Sequence, residues 1–413
     1  MAEVITLEYD PLLLPTAQHR AGLAGFLVLS QTLRNRGIVP LPEIEFTPDQ
    51  RIRVALDEKS IAVLFEDLYA ATEEEQPRAQ KLTRGKGEAK QVIPPLREET
   101  VEEAGKKKVF YYYKQVVPRA PFLTALQVPP TWIKLWRDAM WTCVRGIPMT
   151  RTPYEERSVG QPVGEASKAW SNLVRFAKLA KKNALHTVEL TGSLYLGSQA
   201  ANPDRVPFLA RADEALLLHF WPVVMSVSVP WSVDREGKRS RVGYLLTLPD
   251  VSDFRNFSAD FREMAASLSG ATEGLYPKDA SITLPEEGGL EYLANLAAVA
   301  QARAGEEAWS SSVAGAEVFH MDKRGNNIPL LYSGRVTADA RLLAVYELVR
   351  RRYRNVLFRR QLLLNLLRSD PWYRGFGRMF ATQPQSLFVG NTGKFFQADV
   401  VRKFMDAREV IHG

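Results

Sequence analysis

The side chains that most often carry catalysis or bind metal ions are sparse and scattered in this chain. None of the histidines stands at metal-ligand spacing from another histidine or from a carboxylate pair. They are His19, His186, His219, His320 and His412. The cysteine Cys143 sits in an apolar, tryptophan-rich stretch, which predicts a small buried side chain rather than a nucleophile or a zinc ligand. Because no glycine-rich phosphate loop and no GxSxG elbow is present either, the sequence predicts no catalytic site, no metal and no cofactor.

The carboxylates leave one enzymatic alternative open. Adjacent acids such as Asp57 and Glu58 point away from each other on any regular element, so they cannot share a metal ion. Two-metal nuclease chemistry needs carboxylates that converge from separate elements, and one sequence cannot show that convergence. The alternative is therefore a metal-dependent, nucleic-acid-processing enzyme that uses carboxylates such as Asp250, Asp253 or Asp260.

Basic side chains give the strongest signal. The formal net charge is +7, which favours an anionic partner, most commonly nucleic acid. Residues 338–368 have the pattern of one helix with a broad apolar face. The arginines that this helix would present to phosphates are Arg350, Arg351, Arg352, Arg354 and Arg359. The alternative is that they form a solvated face or pair with acids on neighbouring helices, although the segment itself has few acids, Asp339 at its start and Glu347 within the helix.

Three other segments carry clustered cations that could contact phosphates. They are a helical stripe with Lys168, Arg175, Lys178 and Lys182; a hairpin tip with Arg235, Lys238, Arg239 and Arg241; and the run Lys106, Lys107 and Lys108. Lysines also line ordinary exposed faces, so the spacing alone does not decide between DNA contact and simple solvation.

The segment 322–329 could read bases rather than phosphates. Lys323 and Arg324 precede a glycine, and Asn326 and Asn327 follow it. A short loop of this kind can enter the minor groove, where asparagine amides can bond to base-edge acceptors. The alternative is a plain β-turn with an Asn-Asn tip.

The elements that must position these residues follow from periodicity and turn signals. Gly22 and Gly25 lie three apart on the first helix, which predicts a close approach by another backbone. The expected helices are 12–36, 60–71, 132–144, 165–184, 254–268, 289–304, 338–368 and 398–411. The expected strands are 44–56, 109–117, 188–196, 215–233 with breaks at its prolines, and 242–248.

This layout predicts an α+β fold in two parts. Residues 1–250 would form an α/β body with mixed or antiparallel strands, interrupted by a mobile insertion at about 72–108 where few residues can build a core. Residues 251–413 would form a mainly helical domain. The composition is 46% hydrophobic and 24% charged, no apolar run approaches a membrane span, and no signal peptide is evident, which predicts a soluble cytoplasmic protein.

Three ordered stretches identify a family. Leu14-Pro-Thr-Ala-Gln-His-Arg-Ala-Gly-Leu-Ala-Gly-Phe26 comes first. Trp132-Ile-Lys-Leu-Trp-Arg-Asp-Ala-Met-Trp141 follows, and runs into Arg145-Gly-Ile-Pro148 and Thr152-Pro-Tyr-Glu155. Leu216-Leu-Leu-His-Phe-Trp-Pro222 is the third. Together they resemble the large subunit of the type I-B CRISPR Cascade of the Myxan subtype, over most of residues 10–250. None of these motifs is catalytic, and they resemble packing signatures.

The resemblance implies a non-catalytic, DNA-binding subunit. Members of the family recognise the protospacer-adjacent motif (PAM) on double-stranded DNA, help to start R-loop formation and contact the displaced strand. The implied partners are the 5′ handle of the CRISPR RNA, the handle-capping, backbone and small subunits, and a helicase-nuclease or a transposition adaptor. Guide pairing reads the target while the protein reads the short adjacent motif, a division known from another effector. Some relatives carry a paired-cysteine zinc motif, which Cys143 alone cannot build.

The resemblance and the basic segments together predict residue roles. We expect the loop around Asn326 and Asn327, or the lysines at 106–108, to contact the PAM, and the arginines of 338–368 to hold DNA backbone. A third interpretation stays open beside the enzyme: a structural assembly protein whose basic surface pairs with an acidic neighbour.

Overall fold

The computed structural model describes residues 3–84, 91–103, 106–145, 150–190, 194–196, 208–233, 239–304, 312–325 and 327–412. The helices are α1 Ala17–Asn35, α2 Glu58–Leu68, α3 Pro121–Ala125, α4 Pro130–Ala139, α5 Thr152–Ser158, α6 Gly164–Ala180, α7 Ala212–Leu217, α8 Phe254–Ser267, α9 Pro285–Ala304, α10 Ala340–Arg352, α11 Val356–Leu367, α12 Phe376–Thr382 and α13 Gly390–His412.

Most strands lie before α9. They are β1 Ile5–Tyr9, β2 Glu43–Phe46, β3 Ile52–Leu56, β4 Ala71–Arg78, β5 Thr83–Arg84, β6 Gln91–Val92, β7 Arg97–Glu103, β8 Lys106–Pro118, β9 Thr187–Leu190, β10 Phe208–Arg211, β11 Ser226–Val233, β12 Arg239–Arg241, β13 Tyr244–Val251, β14 Thr272–Glu273, β15 Tyr276–Pro277, β16 Ser281–Ile282, β17 Val313–Met321 and β18 Leu330–Thr337. The predicted α+β class is confirmed.

Helix α1 lies at the centre of the core. The Thr16 side chain caps its first turn by accepting a hydrogen bond from the His19 amide. At the other end Gly37 takes a φ of +71° and the Ile38 amide donates to the Leu33 carbonyl at 3.1 Å, which closes the helix as a Schellman motif. The helix predicted over 12–36 therefore ends where the sequence indicates, although it begins only at Ala17.

The close approach predicted at Gly22 and Gly25 is also confirmed. A Cβ at Gly22 would overlap the carbonyl oxygen of Leu217, and one at Gly25 would overlap that of Phe220. The Trp136 indole, on α4, donates to the Pro222 carbonyl at 2.8 Å. The three sequence stretches that carry the family resemblance therefore meet in one core, as packing signatures would.

The largest sheet has the strand order β12-β11-β13-β17-β18, and β16 pairs with β11 in parallel. The main pairings are antiparallel, for example Leu246 of β13 with Phe319 of β17. Helix α9 contacts β13, β17 and β18. Strands from both sides of position 250 thus share one sheet, while the division into 1–250 and 251–413 as domains stays a prediction.

The segment 72–108, predicted as a mobile insertion in which few residues can build a core, contains β-strands. Strands β4, β8 and β7 form an antiparallel sheet in that order. Its acids and bases face each other across the strands: Glu73 pairs with Lys114 at 3.1 Å, and Glu75 with Arg97 at 3.1 Å. The charge runs are therefore cross-strand partners, which local composition cannot reveal. The mobility of the segment stays a prediction.

Two predicted strands were wrong as single elements. Residues 44–56 form a hairpin, because a turn closes between Thr47 and Arg51 and separates β2 from β3. Residues 215–233 contain the end of α7, a short 3-10 turn at Trp221–Val223 and then β11. Residues 212–225 are almost all buried, and an apolar run that is buried all round does not distinguish a strand from a helix.

The single helix predicted over 338–368 was also wrong, since it breaks into α10 and α11 at Tyr353. The amides of Arg354 and Asn355 donate to the Asp399 carboxylate of α13 at 2.8 and 2.7 Å. The Asn355 side chain then caps α11 through the amides of Leu357 and Phe358. Among the residues that the structure describes, no helix is long and apolar enough to cross a membrane.

Candidate nucleic-acid interface

Helix α6 and the turn that follows it, where Lys182 lies, carry a row of exposed cations. Trp170 and Leu173 bury its apolar side, as its sequence pattern predicts. Lys168, on the other side, pairs with Glu165 at 3.0 Å. Arg175, Lys178 and Lys182 are exposed and make no ion pair with a described residue. Arg175, Lys178 and Lys182 can therefore bind an external phosphate without breaking an ion pair to a described residue.

A groove runs beside this helix. It is lined by bases, acids and neutral polar groups, including Arg145, Lys168, Asn172, Arg175, His186 and Glu189. Arg145 is 5% exposed and donates to the Tyr69 hydroxyl at 2.7 Å, and that hydroxyl lies 2.8 Å from Nδ1 of His219. Burial holds the pKa of His219 well below its usual value, so the imidazole is neutral and its Nδ1 can accept a hydrogen bond from the Tyr69 hydroxyl. These buried hydrogen bonds hold Arg145 and His219 in place where they line the groove.

Sequence reasoning missed Arg145 as a candidate. It appeared only within the phrase Arg145-Gly-Ile-Pro148, outside the clusters of cations that the sequence singles out. Its role depends on Tyr69 and His219, which lie 76 residues upstream and 74 residues downstream. The resemblance motif was the only signal that could have drawn attention to it.

Three of the five predicted arginines of α10 and α11 pair with acids from other elements. Arg350 reaches Glu291 at 2.6 Å and Asp279 at 3.3 Å. Arg359 lies 3.5 Å from Glu287, and Arg352 pairs with Asp406 of α13. The alternative left open by the sequence, pairing with neighbouring acids, describes these three arginines in the structure.

The other two arginines of this set face outward. Arg351 is 81% exposed at its side chain and contacts Glu347 at 2.6 Å within its own helix. Arg354 is exposed, and its side chain makes no ion pair with a described residue. An exposed ion pair such as that between Arg351 and Glu347 contributes little to stability. The side chains of Arg351 and Arg354 are therefore both available to bind a phosphate.

The loop between β17 and β18 is a tight turn. The Arg324 amide donates to the Asn327 carbonyl at 2.8 Å, the reverse bond is 3.1 Å long, and Gly325 has a φ of +64°. Lys323, Arg324 and Asn327 are exposed, and Arg324 lies 3.3 Å from Asp322. Asn326 lies outside the described residues. The turn therefore presents the Lys323 side chain and the side-chain amide of Asn327 to solvent.

The remaining predicted cations lie on two hairpins. Lys107 and Lys108 are exposed on β8, where Lys107 is opposite Glu102 and Lys106 is opposite Glu103. On β12, Arg241 stacks over the rings of Trp231 and Tyr276, with centroid distances of 5.2 and 4.6 Å. Arg239 pairs with Val233 across the hairpin. Arg235 and Lys238 lie outside the described residues.

The three carboxylates of the enzymatic alternative each have a structural partner. Asp250 contacts Arg20 at 2.5 Å and Arg335 at 2.6 Å, and Asp260 is fully buried against Arg303 at 2.8 Å. Asp253 caps α8. Within the described ranges no group of three or more His, Cys, Asp or Glu side chains could hold a metal ion. Cys143 is buried, as predicted, and burial raises the pKa of its thiol to about 12.

Comparison with known proteins gives the family. No curated protein matches the chain. A family model described as the type I-B CRISPR Cas8b N-terminal domain matches residues 41–306, and one described as the type I-B CRISPR Cas8b C-terminal domain matches residues 313–412. Together the two matches cover most of the sequence. The chain therefore belongs to the Cas8b family of type I-B CRISPR large subunits.

Proposed function

We propose that this chain is the non-catalytic, DNA-binding large subunit of a type I-B Cascade complex. In this role it recognises the PAM on double-stranded DNA, helps to start the R-loop and contacts the displaced strand. Its partners in the proposal are the 5′ handle of the CRISPR RNA, the handle-capping and backbone subunits and the small subunit. A helicase-nuclease or a transposition adaptor acts afterwards. Family membership supports the place in the complex.

The observation that carries DNA binding is the row of cations on α6. Arg175, Lys178 and Lys182 are exposed and have no acid partner among the described residues. Each cation that replaces a condensed counterion on duplex DNA favours binding through counterion release. This row supports sequence-independent binding to the phosphate backbone, which orients the duplex before its bases are read.

The test removes these charges in the assembled ribonucleoprotein. Replacing Arg175, Lys178 and Lys182 with glutamine should weaken binding to all duplex sequences. The slope of log affinity against log salt should flatten by roughly 0.9 for each DNA phosphate that the protein no longer neutralises. Fluorescence anisotropy across a salt series measures both quantities.

Lys168→Gln is the matched control for the α6 variants. Lys168 lies on the same helix but already pairs with Glu165, so its replacement should change the slope less than the replacement of Lys178. An unaltered slope in the triple variant would remove α6 from the DNA path.

For PAM recognition we propose the β17–β18 turn, with the lysines at 106–108 as the second candidate. The exposed Asn327 amide can donate to or accept from base edges in the minor groove, and Lys323 can hold the adjacent phosphate. Asn326→Ala combined with Asn327→Ala should abolish discrimination among adjacent motifs while general duplex affinity is kept. If discrimination survives in that variant and is lost in Lys107→Gln, the lysine hairpin reads the motif instead.

A further inference from the structure

Arg241 is held in place by aromatic rings. Its guanidinium carbon lies 5.2 Å from the centroid of the Trp231 ring and 4.6 Å from that of the Tyr276 ring. Tyr276 is itself fixed, because its hydroxyl lies 3.1 Å from that of Tyr244 and the Lys134 ammonium lies over its ring. Two ring contacts restrict where the guanidinium lies, so a ligand meets a side chain that is already largely ordered.

The hydrogen-bond donors of this guanidinium are unused within the described part of the chain. Arg241 is exposed, and its side chain makes no hydrogen bond and no ion pair with a described residue. The face of an aromatic ring attracts a cation but offers no lone pair to an N–H group. The planar fork of donors can therefore bind an acceptor outside the chain.

The hairpin that carries Arg241 is tied to strand β17. The next residue, Val242, accepts a hydrogen bond at its carbonyl oxygen from Nε2 of His320, which lies 2.5 Å away. A carbonyl oxygen can only accept, so the His320 imidazole carries a proton on Nε2. This bond joins the base of the β11–β12 hairpin to the strand that leads into the β17–β18 turn.

Gly243 brings the two backbones into contact. It has a φ of +64°, and a Cβ there would lie 2.0 Å from the Met321 carbonyl oxygen and 2.9 Å from Cα of Asp322. The connection between β17 and β18 begins at Asp322. Arg241 therefore lies two positions from a backbone contact with the turn for which we propose PAM recognition.

We propose that Arg241 is a specificity-determining residue that enters the minor groove beside the β17–β18 turn and selects an A·T pair within the adjacent motif. This role rests on the proposed function, in which the turn enters the minor groove. Both orientations of an A·T pair present only acceptors there, whereas a G·C pair adds the guanine 2-amino donor. A guanidinium has donors and no acceptor, so the guanine amino group opposes it. It also enters a narrow groove more readily than an ammonium group does, because it is more weakly hydrated.

The test uses the assembled ribonucleoprotein and duplexes in which each base pair of the adjacent motif is varied in turn. Arg241→Lys keeps the charge but loses the planar fork. The preference for A·T over G·C at one motif position should fall by about fivefold or more, while the slope of log affinity against log salt stays the same. Arg255→Lys is the matched control, since this exposed arginine also lies over an aromatic ring, that of Phe46, and its replacement should leave the preference unchanged.

Modified bases identify the groove. Inosine lacks the 2-amino group of guanine, so an inosine–cytosine pair presents the minor-groove acceptors of an A·T pair. At the position that Arg241 reads, the wild type should bind the inosine and A·T duplexes alike, and the advantage of inosine over guanine should shrink in Arg241→Lys. 7-Deazaguanine lacks the N7 acceptor of the major groove and should have no effect that depends on Arg241. Such an effect would move the side chain to the major groove and overturn the inference.

Variants of Arg241 and of the turn can fail separately. If Arg241→Lys keeps the preference and Arg241→Gln flattens the salt slope by roughly 0.9, Arg241 neutralises a phosphate and the inference is overturned. It is also overturned if both variants bind like the wild type and only the free energy of unfolding falls, because Arg241 then only packs on the rings. If Asn326→Ala combined with Asn327→Ala loses discrimination while Arg241→Lys keeps it, the proposed function stands without Arg241. A wild-type complex with no preference among adjacent motifs would overturn both.

Discussion

Glu291 shows how a single buried carboxyl group can make stability depend on pH. Burial raises the pKa of Glu291 to about 7, although Arg350 and the Tyr346 hydroxyl favour the charged form. Because this pKa lies above the unfolded value of about 4.5, the group's contribution is complete below roughly pH 4.5 and is lost as the pH rises through about 7.

Comparison of the wild type with Glu291→Gln isolates this effect. Glutamine stays neutral at every pH, so the variant lacks the titration of Glu291, while Arg350 keeps its ion pair with Asp279. The free energy of unfolding of the wild type relative to the variant should decrease by about 1–3 kcal/mol between roughly pH 5 and pH 8. Urea denaturation at the two pH values measures it. A difference that stays constant would mean that Glu291 is ionised throughout.

The hydroxyl of Tyr69 holds two buried polar groups at once. Tyr69→Phe leaves the Arg145 guanidinium and the His219 nitrogen without this shared partner. The free energy of unfolding should fall by about 1–3 kcal/mol, because unsatisfied buried groups lose their hydration without compensation. Tyr373→Phe is the control, since its exposed hydroxyl makes no hydrogen bond with a described residue. Equal unfolding midpoints for the two variants would contradict this role.

At the scale of residues, the sequence predicted chemistry better than it predicted partners. The arginines and their spacing could be read from the sequence. Their acid partners Asp279, Glu287 and Glu291, however, lie about 60 to 70 positions earlier in the chain. A helical wheel describes one element and cannot show acids contributed by another. The outward arginines Arg351 and Arg354 were predicted alongside the paired ones, with nothing in the pattern to separate them.

At the scale of elements, helix α1 depends on close backbone contact at its glycines. Gly25→Ala would drive a methyl group into the Phe220 carbonyl, so the free energy of unfolding should fall by about 1–3 kcal/mol or more. Gly377→Ala on α12 meets nothing within 4 Å and should be neutral, or stabilise by up to about 1 kcal/mol through helix propensity. Thermal or urea unfolding compares the two. A destabilised Gly377→Ala together with a neutral Gly25→Ala would reverse the packing argument.

Elements were predictable where the signal was local. The end of α1 follows from Gly37, and the amphipathic face of α6 follows from its own periodicity, whereas the predicted start of the first helix at residue 12 lies before its Thr16 cap. The break between α10 and α11 needs Asp399, more than 40 positions away, to accept the amides at the junction. Likewise, β4 and β7 exist because β8 supplies opposite charges and a pairing edge between them. A short stretch of sequence cannot show pairing between residues that lie so far apart in the chain.

At the scale of the whole molecule, the separated motifs were informative because they belong to one core. The stretch around Gly22 packs on the backbone around Leu217, and Trp136 bonds to Pro222 in that same stretch. Such motifs identify a family through its packing, and none of the residues predicted to contact DNA lies within them.

We expect the chain as a whole to have no hydrolytic activity on nucleic acid. A two-metal nuclease site needs free carboxylates that converge on the ions. Asp250 is instead held between Arg20 and Arg335, Asp260 is buried against Arg303, and Asp253 accepts two amides at the start of α8. The isolated chain should therefore leave labelled single- and double-stranded DNA and RNA intact in the presence of Mg²⁺ or Mn²⁺.

Asp250→Asn should instead lower the free energy of unfolding by about 2 kcal/mol, because it leaves Arg20 and Arg335 without their shared carboxylate. The control is Asp49→Asn at an exposed position, which should change the free energy of unfolding by less than about 0.5 kcal/mol. Metal-dependent cleavage that disappears in Asp250→Asn would show that this carboxylate serves catalysis.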